Sequence, residues 1–294
     1  MIDNYTVVAF IKNEPIRILP LIENFNKSNK LLILLDPDDI LTKEILIKNN
    51  IKFILRPKNF YELDIKYREN WILSKIETEY VLTVYASMFF SKKILEIYDN
   101  VAKEGLYDAV YNPIISWSHA KMVLFPPLFV KDSTACYFFR KSVVESDYSI
   151  IHGEFFIKSS AKVLKLPATN EFAIQIFRDD DMKQIAEKHI SYAEREANEK
   201  IGIEKKITLN YLIYQLLKSF LNGYIRCGGY KAGIEGFIYH FNFTIYNFFV
   251  ISKLWEIQNS KTFNKNREIH SKIRMGLLNK KSNEYSSSNI NTNV

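Results

Sequence analysis

The chain has 294 residues, 47% hydrophobic and 25% charged, which is enough for one large core or two small ones. Its net charge is +7, but residues 258–294 hold seven Lys/Arg against two Asp/Glu; this tail carries +5 and the remainder only +2, which excludes a basic nucleic-acid groove in the folded part. Cys136 and Cys227 form no motif, and the first apolar run, residues 7–11, is too short for a signal segment, so a cytoplasmic protein with reduced thiols is expected.

In chain order, residues 5–11 read as a strand that ends at Lys12-Asn13-Glu14, and Pro15 suits the first turn of a helix to about residue 27. Residues 30–35 form a second apolar strand ending at Asp36. Pro37 breaks it, and Asp38 and Asp39 favour the start of a helix to about residue 49. A third strand is expected over 51–55 and a helix over 61–76. Residues 80–85 read as a central strand buried on both faces, stopping at the corner Tyr85-Ala86-Ser87 before a helix over 91–104. A fifth strand over 108–112 is closed by Pro113. This alternation predicts an α/β fold with a doubly wound, mostly parallel sheet.

After Pro113 the pattern changes. Residues 121–125, 135–140 and 150–157 read as strands without intervening helices, an antiparallel extension with a turn at Pro126-Pro127. A polar helix follows over 181–201, with Ile185, His189, Tyr192 and Glu196 along one side; Asp179-Asp180-Asp181 before it suits capping better than metal binding. Residues 208–226 and 230–256 form a C-terminal helical hairpin around Cys227-Gly228-Gly229, the second helix dense in aromatics. Two readings stay open for it: an interfacial helix lying among lipid headgroups, or a core-packing hairpin. The tail from residue 259 is Asn-, Ser- and Lys-rich and is expected to lack regular structure; beside an anionic membrane its charge would favour contact. The expected divisions are thus 1–206, a nucleotide-sugar-binding catalytic domain; 207–257, the helical pair; and 258–294, the tail. No Gly-x-Gly-x-x-Gly, P-loop or Cys/His cluster occurs, so dinucleotide, P-loop and structural-zinc readings fall away.

The order of these features resembles family 2 glycosyltransferases of the GT-A fold, and more narrowly the bacterial enzymes of lipopolysaccharide-core and surface-glycan synthesis. The residues that carry the resemblance are Phe10-Ile-Lys-Asn13-Glu14 at the first strand end, Leu34-Leu35-Asp36 at the second, Arg68-Glu69-Asn70 before the fourth, Phe139-Arg140-Lys141 and then Ile151-His152-Gly153-Glu154, Lys188-His189-x-x-Tyr192, and the aromatic segment ending Lys253-Leu254-Trp255-Glu256. The resemblance implies a nucleotide-sugar donor as substrate, a glycan or lipid-linked acceptor, an inner-membrane surface as partner, and inverting transfer. It makes Asn13, Glu14, Asp36, Arg68, Ser87, Arg140 and Lys141 donor-binding residues, Asp36 by contact with the base, and Glu154 the general base with His152 beside it. On a strand these two residues share a face. The family's Asp-x-Asp, which holds a divalent cation on the diphosphate, is replaced by Tyr85-Ala86-Ser87. One hydroxyl is a poor substitute for two carboxylates. Two readings therefore stay open: a transferase that still uses a divalent cation (Mg or Mn), and a metal-independent one in which Arg68, Arg140 and Lys141 neutralise the diphosphate. The alternatives are a catalytically silent homologue acting as a binding or scaffold protein at the membrane, and a structural membrane-associated protein built around residues 207–257.

Overall fold

The computed structural model describes residues 4–25, 30–60, 63–124, 134–145, 155–177, 181–202, 205–261 and 263–290. The first strand, β1 (Tyr5–Ile11), is buried along its whole length, as its β-branched and aromatic content demands. It pairs in parallel with β2 (Lys30–Leu35) and with β4 (Tyr80–Tyr85), and β3 (Ile54–Leu55) adds in parallel outside β2. Beyond β4 runs the antiparallel β8 (Thr134–Arg140), then β6 (Ala109–Ser118), parallel β12 (Ile174–Phe177) and antiparallel β5 (Met88–Phe89), giving the order β3-β2-β1-β4-β8-β6-β12-β5. The strands β7 (Lys121–Leu124) and β11 (Val163–Lys165) also pair with β6, and β9 (Val144–Glu145) with β10 (Phe156–Ile157) makes a separate ladder. The fold is thus mixed α/β with a mostly parallel sheet, as the sequence predicts.

The period of two in β1 divides the core. Tyr5, Val7, Ala9 and Ile11 face one side, packed with α1 (Ile18–Phe25), α4 (Lys92–Glu104) and Leu46 of α2 (Ile40–Lys48). Val8 and Phe10 face the other, with Ile72 of α3 (Ile65–Leu73). Helix starts are set by side-chain caps: Asp39 accepts from Thr42 N (3.1 Å), Asp64 from Tyr67 N (3.1 Å) and Ser91 from Ile94 N (3.3 Å). At the heart of the first side Tyr98 stacks on Phe138, centroids 4.4 Å apart, and donates its hydroxyl to Asn112 (2.6 Å).

The fifth strand differs from expectation. β6 runs on through Pro113 to Ser118. β11 opposes only Ala109–Tyr111 and β12 begins at Ile114, so Pro113 falls in the gap between two partners, where no ladder donor is needed. The third strand and the helix after it are shorter than predicted. Of residues 150–157, only 155–157 are described, and His152 and Glu154 lie outside the described residues, as do Asp179 and Asp180.

The chain forms two compact units, one of residues 1–188 with 218–244, the other of residues 189–217 with 245–294. Both α6 (Leu209–Leu221) and α7 (Ile234–Gln258), the expected hairpin, are therefore shared between units. In the first, Val123 packs with Ala232 and Tyr239, and buried His240 holds Val123 O through Nε2 (2.9 Å); burial keeps its imidazole below its ordinary pKa. The approach is close: a Cβ on Gly236 would stand 1.9 Å from Gly229 O. In the second unit, α5 (Met182–Glu199) contributes Ala193 and Ala197 to small cores with Ile207, Tyr246, Val250, Ile251 and Leu254, and Tyr246 bonds Glu196. Residue by residue, α7 buries Tyr239, Tyr246, Val250 and Leu254 and exposes Ile234, Phe237, Phe241, Phe248 and Trp255. Among the described residues no helix is long and apolar enough to cross a membrane. Where no regular structure is expected, the tail carries α8 (Phe263–Ile290), mostly exposed over its first half.

Candidate functional site

From β1 the chain moves outward to β2 and β3, then returns to place β4 on the other side of β1. That reversal makes the crevice outside the carboxyl ends of β1 and β4 a topological switch point, where ligands bind in open α/β sheets. Phe10 pairs with Tyr85 across the two strands, so Lys12-Asn13-Glu14 and Ala86-Ser87 flank this crevice, with Asp36 one strand further out.

Each of these residues is fixed by neighbours. Asn13 takes a left-handed backbone (φ 56°), and its N–H donates to Asp39 Oδ2 (2.6 Å). Glu14 N–H donates to Thr42 Oγ1 (3.0 Å), while its carboxylate receives Arg17 Nε (2.7 Å) and Nη2 (3.1 Å). The turn between β1 and α1 is thereby latched to the start of α2.

Asp36 is the most constrained. Its N–H continues the ladder to Ile11 O (2.9 Å). Its carboxylate accepts from Asp38 N (3.2 Å) and from Arg56 Nη2 (3.2 Å), with Lys12 Nζ at 3.4 Å. Arg56 follows β3 directly; its side chain is fully shielded from solvent, bonded also to Ile11 O (3.0 Å), with the guanidinium 5.6 Å from the Phe60 ring centroid. A carboxylate offers about four acceptor positions. The side chain of Asp36 keeps 12% of its surface in solvent, so part of that capacity faces outward.

Ser87 closes the other flank. Its carbonyl accepts Phe177 N–H (2.7 Å), and Phe177 O accepts Arg17 Nη1 (2.6 Å). A chain of contacts thus links Ser87, Phe177, Arg17 and Glu14 across the switch point. Arg68 lies half-buried on α3 beside buried Glu69.

Arg140 and Lys141 are not brought to this place. β8 is antiparallel, so its end meets the beginning of β4: Arg140 pairs with Tyr80, five residues or about 16 Å along the strand from Tyr85. There Arg140 donates to Tyr80 Oη (2.6 Å) and Gly105 O (3.0 Å) and pairs with Glu79 (3.2 Å) and Asp108 (3.4 Å); the Tyr80 hydrogen bond holds its pKa above the usual arginine value. Lys141 Nζ donates to Ile76 O (2.9 Å). Sequence reasoning missed Arg56, Lys12, Arg17 and Phe177 as site residues. Arg56 could have been found by asking which side chain follows the strand that neighbours β2.

The residues at the end of β4 do not fit a divalent cation. Tyr85-Ala86-Ser87 supplies no carboxylate, and among the described residues no three His, Cys, Asp or Glu side chains assemble around one point. Cys136 is no ligand or nucleophile either: burial pushes its thiol up to about 12.

No family model matches the chain, and no curated protein matches it. Among solved structures it is similar to Staphylococcus aureus TarS residues 1–349 (11% identity, 88% of this chain and 92% of that one, TM-score 0.42) and to the same protein in complex with UDP-GlcNAc (11%, 88% and 93%, TM-score 0.43). It is also similar to a Desulfovibrio desulfuricans G20 protein described as a nucleotide-diphospho-sugar transferase (12%, 73% and 95%, TM-score 0.38). At these identities and TM-scores the architecture rests on the strand order itself.

Proposed function

We propose that this chain is a glycosyltransferase that moves a sugar from a nucleotide-sugar donor to a surface-glycan or lipid-linked acceptor without a divalent cation. The observation that carries the reading is Asp36, a carboxylate with 12% of its side chain open to solvent, seated by the shielded Arg56 at the carboxyl edge of the sheet, next to the switch point. A carboxylate held this way can accept hydrogen bonds from a base or a ribose. The diphosphate would lie toward the end of β4, with Lys12 and Arg17 supplying charge in place of a metal. Arg140 and Lys141, at the opposite end of β4, brace the fold and take no part in donor binding.

In the inverting transfer that the family resemblance implies, the acceptor hydroxyl attacks the anomeric carbon. The bond from that carbon to the diphosphate breaks, the nucleoside diphosphate leaves with the electron pair, and Glu154 takes the hydroxyl proton, with His152 beside it. In the second unit, the exposed Phe248 and Trp255 of α7 and the basic α8 support docking to the cytoplasmic face of an anionic membrane. A second reading, a silent homologue that binds donor without turnover, is favoured by one observation, the absence of carboxylates at Tyr85-Ala86-Ser87.

The test is a thermal-shift titration with UDP-, GDP-, ADP- and CMP-sugars, each with Mn²⁺ and with EDTA, followed by a transfer assay. One donor should raise Tm equally in EDTA, and Glu154→Gln should keep that shift while losing turnover. Binding that requires Mn²⁺ would remove the metal-independent mechanism. Binding without turnover on any acceptor would favour the silent homologue, and no binding at all would remove both readings.

A further inference from the structure

A ladder of aromatic side chains adjoins the switch point, and the backbone of Phe177 ties it to the donor corner. Phe89 of β5 opposes Gln175 of β12, Phe177 of β12 opposes Trp117 of β6, and Trp117 opposes Met122 of β7. Directly opposed residues and residues two apart share one sheet face, so these five side chains lie together across four strands. Trp117 and Phe177 stack with centroids 5.4 Å apart and planes at 21°. The indole is fixed by its own N–H, which donates to Gln175 Oε1 (3.2 Å). That bond assigns the oxygen of the amide and leaves its NH₂ as a donor. Phe177 is 39% exposed and Phe89 42% exposed, so both rings are open to a ligand.

We infer that this ladder is the acceptor subsite and takes a neutral pyranose ring of the acceptor glycan. This role rests on the glycosyltransferase reading above. The chemistry of the surface selects the ligand. A pyranose presents axial C–H bonds on one face and hydroxyls around its rim; the negative face of an aromatic ring attracts the first, and the Gln175 amide can donate to the second. The five side chains carry no charge, so nothing on the ladder calls for an ionised sugar. The position matches the reaction. Phe177 is bonded through its own N–H to Ser87 O and through its own carbonyl to Arg17, and Phe89 follows Ser87 by two residues. A sugar on the ladder therefore borders the corner where the donor sugar would sit, and transfer requires reacting atoms within about 3–3.5 Å. The backbone bonds also keep the ladder in register with the donor corner.

Saturation-transfer NMR tests this with purified full-length protein and the methyl glycosides of glucose, galactose, mannose and N-acetylglucosamine with their β-linked disaccharides. At least one should receive saturation at its ring C–H protons, and the signal should fall at least about fivefold in Trp117→Ala and in Phe177→Ala. Phe89→Ala, at an exposed position on a two-residue strand, provides a variant with little effect on folding and should weaken the same signal. No signal from any of these sugars, or an unchanged signal in the variants that fold, overturns the subsite. The nucleotide-sugar titration on the same samples separates the two claims. Donor binding without sugar contact removes the subsite and leaves the transferase reading, whereas sugar contact without any donor binding keeps a glycan site and removes the transferase.

Discussion

At the amino end of β4, Arg140 is taken up entirely by its own fold: the Tyr80 hydroxyl, the Gly105 carbonyl and the carboxylates of Glu79 and Asp108 surround it, and the Tyr80 hydroxyl donates in turn to Tyr107 O (2.7 Å). At the carboxyl end, Arg56 also pairs with a carboxylate, but beside the switch point: the arginine is fully shielded, Asp36 keeps 12% of its side chain in solvent, and the exposed Lys12 lies next to it. An arginine among carboxylates is therefore not a phosphate site by its composition. Which end of the strands it occupies decides the role.

The sharpest way to break this comparison is Arg56→Ala. Removing the shielded partner of a largely buried carboxylate costs about 3–5 kcal/mol and frees Asp36 to move. The urea midpoint should fall by an amount set by that loss, and the donor-dependent rise in Tm should disappear. Retention of that rise would mean that Asp36 is not a base-reading group. Next in size is Arg140→Ala, which loses hydrogen bonds to Tyr80 and Gly105 at a cost of about 2 kcal/mol. The midpoint should fall while the donor-dependent shift stays; losing it would bring the amino end back into the binding site. The smallest effect is expected for Lys12→Ala. Its side chain is 58% exposed, so the pair with Asp36 contributes less than about 1 kcal/mol to stability. Its donor affinity should drop severalfold at low salt and approach that of the wild type at high salt, as for any screened charge. A salt-independent loss would assign Lys12 a direct contact.

Much of the first half was legible in the sequence because local rules decide it. Apolar strands ending in Asn13-Glu14 and Asp36, the helix start at Asp39, and β4, buried from Tyr80 to Val84, all follow from spacing and residue type. Pro113 was misread because its tolerance depends on where β11 stops and β12 starts, which is non-local. Arg140 and Lys141 were grouped with the donor residues because order along the chain carries no strand direction; the antiparallel run of β8 sends them to the far end. The aromatic ladder was invisible for the same reason: Phe89, Trp117 and Phe177 are far apart in sequence and meet only through pairing. The tail composition predicted an unstructured segment, yet the same residues include Phe263, Ile269, Ile273 and Leu277 at spacings compatible with a helix.

The margins of the sheet have a consequence for how the protein behaves in a crowded cell. Among the described residues, the outermost strands of the main sheet are brief: β3 and β5 have two residues each, β11 three and β7 four. β3 is cut off by Arg56, whose N–H is already bonded to Leu35 O, and by Pro57, which has no N–H to offer. Of the long hydrophobic strands, β1 is enclosed on both sides, whereas β2 meets β3 only at Leu34 and Leu35. At the two-residue margins a second chain finds only a short row of free backbone groups to extend, which disfavours strand addition there without any help from surface charge.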